Sequence, residues 1–261
     1  MSDAASGAVH LERRGPAAWI TFDRPQARNS MTFAMYEALH ENCEAVDADP
    51  AVRVAVLRGA GGQAFVAGTD ISEFRAFRSP QDGLDYEATI DRIVGRLERV
   101  RKPTIALVEG HAVGGGLALA GACDLRVCTP EAKFAMPIAR TLGNCLSIAN
   151  YARLAALIGE GRVKDLVFSA RSVGADEALA IGLAGEVVAS DAIEEHVAAL
   201  CERLAGHSPI TLRATKEALR RLREANIPDG HDLVAEAYGS DDFRNAVDAF
   251  AEKRRPEWRG A

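Results

Sequence analysis

Two apolar runs, each ending in glycines, carry the spacing in this chain that points most directly to chemistry. The first reads Val52-Arg-Val-Ala-Val-Leu-Arg-Gly59 and continues as Ala64-Phe-Val-Ala-Gly-Thr-Asp-Ile71. The second reads Thr104-Ile-Ala-Leu-Val-Glu-Gly110 and continues as His111-Ala-Val-Gly-Gly-Gly-Leu-Ala118. A strand that stops in glycines ahead of a helix leaves backbone N–H groups bare at the positive end of the helix dipole. Two such ends brought together make a seat for an oxygen that gains negative charge during a reaction.

The elements that must position these bends alternate between strands and helices. Val9 to Arg13 and Ala17 to Phe22 form a strand pair around the Arg14-Gly-Pro16 turn. Ser30 or Thr32 caps a helix to about Asp49, with Met31, Met35, Leu39 and Cys43 at helical spacing. Gly83 to Val100 is an amphipathic helix that Lys102-Pro103 stops, and Leu125 to Cys128 is a further short strand. From about Cys145 the pattern turns helical: Cys145 to Leu157, Arg162 to Ser169, Ala175 to Ile181, Ala192 to Leu204, Pro209 to Ala225 and His231 to Ala251. Glu186-Val-Val188 is a brief exception. Repetition of strand, glycine bend and helix predicts an α/β fold, a spiral of ββα units, followed by a helical region. We place the division at residues 1–200 and 201–261.

Composition narrows the function classes. With 48% hydrophobic and 26% charged residues among 261, the chain is an ordinary globular protein. Its net charge of −6 argues against a general nucleic-acid binder. The basic clusters Arg220-Arg-Leu-Arg223 and Lys253-Arg-Arg255 read as solvated helix faces or as contacts for a ligand's phosphates. Five cysteines without a Cys-x-x-Cys pair disfavour disulfide scaffolds and zinc sites. The start, Met1-Ser-Asp-Ala-Ala-Ser-Gly, shows no secretory signal, and no apolar stretch reaches membrane-spanning length, so a cytoplasmic setting is expected. The common dinucleotide, phosphate-loop, nucleophile-elbow and zincin signatures are absent, and no metal or nicotinamide is expected.

Taken in order, Arg24-Pro-Gln-Ala-Arg-Asn29, Ala64 to Ile71, Lys102-Pro103, Gly110-His-Ala-Val-Gly-Gly-Gly116, Cys123-Asp124, Ala175 to Leu183 and the tail Ala249 to Pro256 resemble the crotonase superfamily, the enoyl-CoA hydratase/isomerase family. The resemblance spans nearly the whole chain. It implies a crotonase-like ββα spiral core, a C-terminal helical region serving assembly or closure over CoA, and homotrimers or hexamers. It also implies a lyase or isomerase acting on acyl-CoA thioesters through an enolate-like oxygen, with coenzyme A as part of the substrate and no separate cofactor. Carried over by position, the two oxyanion donors are the amides of Thr69 and Gly115. Gly115 lets a thioester come close, whereas Thr69 is larger than the residue many relatives have there. Arg28, Ala64, Ala67, Gly68, Asp70, Ile71, Gly114, Ile138 and Lys253 correspond to CoA- and substrate-binding positions, and Trp258 to a residue closing over the adenine. Asp70 also reads as a helix cap, Arg28 as a surface charge and the tail as a subunit contact.

One part of the pattern breaks. Hydratases of this family use two glutamates, since adding water across a double bond needs a base for the water and an acid for the α-carbon. Those positions hold Ala118 and Ile138 here, or Ala139 if the loop carries one extra residue. Arg140, Asn144, Cys145 and Tyr151 are candidates for orienting a substrate or water, with packing or capping as the alternative; Glu109 and His111 lie near the glycines in sequence. Two readings stay open: an enzyme with an unusual acid or base, performing hydration, isomerisation or decarboxylation, or an acyl-CoA-binding homologue without catalysis.

Overall fold

The structure, a computed structural model, describes residues 7–225 and 227–260. Residues 1–6, read above for a leader, lie outside the described residues. Among the described residues ten strands divide between two sheets. In the six-stranded sheet the order is β1 (Ala8–Arg14), β2 (Ala17–Asp23), β3 (Val54–Gly59), β5 (Thr104–Val108), β7 (Leu125–Cys128) and β10 (Glu186–Val187). Only β1 and β2 pair antiparallel there. The four-stranded sheet runs β4 (Ala64–Val66), β6 (His111–Val113), β8 (Lys133–Ala135) and β9 (Ser172–Gly174). Each consecutive pair β3–β4, β5–β6 and β7–β8 therefore sends one strand to each sheet, which is the repeat expected from the sequence.

Period-two burial explains how β3 serves two layers. Ala55 and Leu57 face the main core with Ile20, Phe22 and Phe65, while Val54 and Val56 face the opposite side. That second side is covered by Val197, Leu200 and Cys201 of α8 (Ile193–Ala205). Helix α1 (Phe33–Ala48) is capped by Thr32, whose hydroxyl accepts from the Met35 N–H, and it buries Met35, Leu39 and Cys43 as its spacing requires. Helix α2 (Pro80–Glu98) starts three residues earlier than Gly83, because Ser79 and Asp82 form a reciprocal capping box. The chain then forms α3 (Gly115–Ala122), α4 (Ile138–Thr141), α5 (Ile148–Ile158), α6 (Glu160–Ser169) and α7 (Ala175–Ala180). After α8 follow α9 (Pro209–Glu224), α10 (His231–Gly239) and α11 (Asp241–Ala251).

Two expectations need correction. The single helix from His231 to Ala251 is two, because Ser240 is extended (φ −69°, ψ 153°) and its hydroxyl caps α11 by accepting from the Phe243 N–H. The helix expected from Cys145 begins at Ile148, where the Ser147 hydroxyl accepts from the Asn150 N–H. Within Ala64 to Ile71, β4 ends at Val66, the glycine bend follows, and Ile71–Ala76 is a 3-10 helix. Strands β8 and β9, three residues each, are too short to show a pattern in the sequence. Among the described residues no helix is long and apolar enough to cross a membrane.

Candidate active site

The turn after β4 and the start of α3 open onto one cavity of about 150 Å³, completed by α2 and the 137–146 segment. Positive φ at Gly68 (109°) and Gly114 (55°) turns both chains out of the sheet. Around Thr69 the backbone is tied down on each side: the Met31 N–H donates to the Gly68 carbonyl at 2.8 Å and the Asp70 N–H donates to the Met31 carbonyl at 2.8 Å. Gly114 donates to the Ala135 carbonyl at 3.0 Å. Among the described residues the N–H groups of Thr69 and Gly115, between and beyond these anchors, have no protein acceptor. A Cβ added to Gly115 would lie 3.7 Å from the Thr69 nitrogen, so the two amides sit at one mouth. The same Cβ would overlap the Tyr36 hydroxyl, and one on Gly116 would overlap the Val66 carbonyl. A side-chain hydroxyl thus explains the glycine at 115, and close approach of a neighbouring backbone the one at 116.

Across the cavity stands a carboxyl that the sequence reading missed. Glu87 of α2 is 5% exposed. Its Oε1 accepts from the Tyr238 hydroxyl of α10 at 2.7 Å, and its Oε2 accepts from the Ser147 N–H at 3.0 Å. Asn144 Nδ2 in turn donates to the Tyr238 oxygen at 3.0 Å. Burial, assisted by the nearby charge of Asp91, pushes the Glu87 carboxyl up to about 7, against the lowering effect of its two donors. Tyr238 reaches it because Gly83, one turn earlier on α2, has no Cβ to obstruct the Tyr238 side chain. The signal was present in the sequence: Gly83, Glu87, Ile90, Val94 and Leu97 share one face of α2, so Glu87 is a charge on an apolar stripe.

Three hydroxyls form a second network. Thr69 Oγ1 lies 2.9 Å from the Tyr36 hydroxyl and 2.8 Å from that of Tyr86. The Tyr86 ring is wedged between Phe74 and Phe33, with centroids at 5.0 and 5.8 Å. Tyr86 thereby packs on a small aromatic core of Phe74, Phe77, Tyr238 and Phe243, of which Phe74 lines the cavity.

The residues anticipated from the sequence separate into two groups. Ala67, Gly68, Thr69, Ile71, Gly114, Gly115, Ala118, Ile138 and Asn144 line the cavity. Arg28, Ala64, Asp70 and Lys253 do not. Ala64 is buried in β4, and the Arg28 carbonyl accepts from the Ala67 N–H at 3.1 Å, supporting the turn through its backbone. Asp70 caps the 3-10 helix and pairs with Arg24 at 2.7 Å; although burial works to raise it, Ser72 and Arg24 hold its carboxyl below the usual range. Glu109 faces Arg58 at 3.4 Å. Cys145 and Tyr151 line a separate outer depression with Trp258, and burial pushes the Cys145 thiol up to about 12, which disfavours a nucleophile. Lys253 is exposed on the tail. The basic cluster on α9 is engaged, Arg220 with Glu217 at 2.9 Å and Arg223 with Glu98 at 2.5 Å. No metal-holding cluster of acidic, histidine or cysteine side chains occurs among the described residues.

Comparison with known proteins agrees with this architecture. The family model described as enoyl-CoA hydratase/isomerase matches residues 12–261. Short-chain-enoyl-CoA hydratase of Clostridium acetobutylicum is 32% identical over 253 residues, covering 95% of this chain and 96% of that protein. Carnitinyl-CoA dehydratase of Salmonella typhi is 33% identical over 268 residues, covering 98% and 99%. A methylmalonyl-CoA decarboxylase solved in complex with 2-nitronate-propionyl-CoA superposes with a TM-score of 0.89 at 26% identity, covering 97% of this chain and 98% of that one. An enoyl-CoA hydratase/carnithine racemase from Magnetospirillum magneticum gives a TM-score of 0.79 at 31% identity, covering 97% and 96%. A family match over nearly the full length, on a fold of two sheets joined by ββα repeats, leaves one conclusion: the chain belongs to the enoyl-CoA hydratase/isomerase family, the crotonase superfamily, and is an acyl-CoA enzyme of that family.

Proposed function

We propose that this enzyme shifts a double bond in a short, uncharged acyl-CoA thioester, with Glu87 moving the proton. The thioester oxygen sits between the amides of Thr69 and Gly115, which stabilise the charge it gains. The Glu87 carboxylate takes a proton from C2 of a 3-enoyl thioester, giving a dienolate whose charge rests on that oxygen. The resulting carboxylic acid returns the proton to C4, and the product is the 2-enoyl thioester. One group does both transfers, so the glutamates missing at Ala118 and Ile138 are not needed.

The observation that carries this reading is that Glu87 is the only carboxyl lining the cavity among the described residues. An acid whose pKa is about 7 both accepts and releases a proton near neutral pH. No lysine or arginine lines the cavity among the described residues, which favours a neutral acyl chain over one bearing a carboxylate. A volume of about 150 Å³ suits a short chain.

Turnover of 3-pentenoyl-CoA, followed by the absorbance of the conjugated product, tests it. Glu87→Gln should lose roughly 10²- to 10⁴-fold in kcat while still binding the thioester. Undiminished turnover in that variant would remove Glu87 from the chemistry.

A second reading, hydration, is favoured by Asn144, whose Oδ1 is buried without a hydrogen-bond partner among the described residues. There it accepts from a water that Glu87 deprotonates as its oxygen adds to C3, the Glu87 acid so formed then protonates C2, and 3-hydroxybutyryl-CoA from crotonyl-CoA is the distinguishing product. Assembly as a trimer or hexamer is part of the proposal. It is supported by the exposed Ile210, Leu219 and Leu222 on α9 and is checked by light scattering.

A further inference from the structure

The Tyr36–Thr69–Tyr86 network contains three hydroxyls joined by two hydrogen bonds. Each hydroxyl has one proton to give, so two protons are used and one is left over. Tyr36 is 1% exposed, does not line the cavity and has no other hydrogen-bond partner among its side-chain contacts. A proton left there would be buried and unpaired, which is costly. Thr69 Oγ1 lies between the two phenols, and Tyr86 stands at the open end of the chain, lining the same cavity as the Thr69 and Gly115 amides. The favoured sequence of donation is Tyr36 to Thr69, Thr69 to Tyr86, and Tyr86 into the cavity.

We propose that the Tyr86 hydroxyl is a third hydrogen-bond donor to the thioester oxygen, kept pointing at it by Tyr36 through Thr69. This rests on the enolate reading above and extends it to a side chain. It also accounts for a threonine at position 69, since a residue without a hydroxyl would break the chain. Burial holds the Tyr86 phenol well above its ordinary range, so it remains a donor at neutral pH. Packing against Phe74 and Phe33 fixes the ring before the substrate arrives, which is what makes such a donor effective.

Acetoacetyl-CoA is the probe, because its enolate absorbs in the near ultraviolet and its ionisation on the protein reads the stabilisation of that oxygen directly. The wild-type protein should lower the pKa of bound acetoacetyl-CoA relative to the free thioester. Tyr86→Phe should raise the bound value by about one unit, a tenfold smaller enolate-to-keto ratio, and lower kcat roughly tenfold with KM little changed. Tyr36→Phe should give a clearly smaller shift, since Tyr86 remains and only its orientation is loosened. A Tyr86→Phe protein that ionises the probe as well as wild type overturns the proposal, as does an equal shift in both variants, which would make the hydroxyl chain only a brace. No pKa lowering in the wild-type protein would instead sink the two-amide reading itself.

Discussion

The two walls of the cavity are built in opposite ways. The wall holding the Thr69 and Gly115 amides is backbone, written in two short contiguous stretches where glycine lets main chains meet. The wall holding Glu87 is made of side chains from distant places: Ser147 lies 60 residues from Glu87 in sequence, and Tyr238 lies 151 away. A backbone wall tolerates almost no added atom but is indifferent to most side chains. A side-chain wall can be retuned one residue at a time. On the function proposed above, the first wall stabilises the oxygen and the second moves the proton.

The sharpest way to break that contrast is Gly116→Ala. Its Cβ would overlap the Val66 carbonyl, so a loss of about 3 kcal/mol or failure to fold is expected, read by thermal melting. A variant melting like wild type would show that the backbone wall is not rigid. Next in size is the pH dependence of stability. Glu87 titrates at about 7 in the folded protein against 4.5 for an ordinary glutamate, so folding favours its protonated form. Its contribution is therefore intact below the unfolded value and is lost as pH rises through the folded one, by roughly 3 kcal/mol across the window. Urea unfolding between about pH 5 and 8 should show this decline in wild type and a shallower one in Glu87→Gln.

Smaller still is Gly83→Ala, which crowds Tyr238 and weakens a bond that lowers the Glu87 pKa. The corresponding limb of the pH–rate profile should move up by about 0.5 to 1 unit, and an unmoved limb would detach Tyr238 from Glu87. The smallest effects belong to Arg28→Ala and Lys253→Ala, residues outside the cavity. A KM rise of about two- to fivefold is expected for CoA thioesters and none for the matching pantetheine thioesters.

These two walls also explain what could be read in the sequence. Strand pairs, the helix caps at Thr32 and the glycine bends are local, and each appears near its expected place. Ala118 and Ile138 were anticipated as apolar residues in the site, and both line the cavity. Glu87 escaped because a carboxylate on a helix is ordinarily solvated, and only folding brings Tyr238 and Ser147 against it. Its place on the apolar face of α2 was the sole local trace. Tyr36 and Tyr86 were hidden for the same reason: a phenol at helical spacing looks like core until a hydroxyl partner is known.

The direct pairing of β4 with β6, Ala64 beside His111 and Val66 beside Ala112, has a geometric consequence. Adjacent strands in a sheet lie about 4.8 Å apart. Two segments leaving the same edge side by side therefore start with their amides separated by little more than the width of one oxygen atom with its two hydrogen bonds. The span of the proposed anion seat thus starts from the sheet spacing, and the turns at Gly68 and Gly114, held by Met31 and Ala135, carry it to Thr69 and Gly115. Residues on α2, α10 and the 137–146 segment lie outside that set of strand and turn contacts, so they can change toward new acyl groups without touching it.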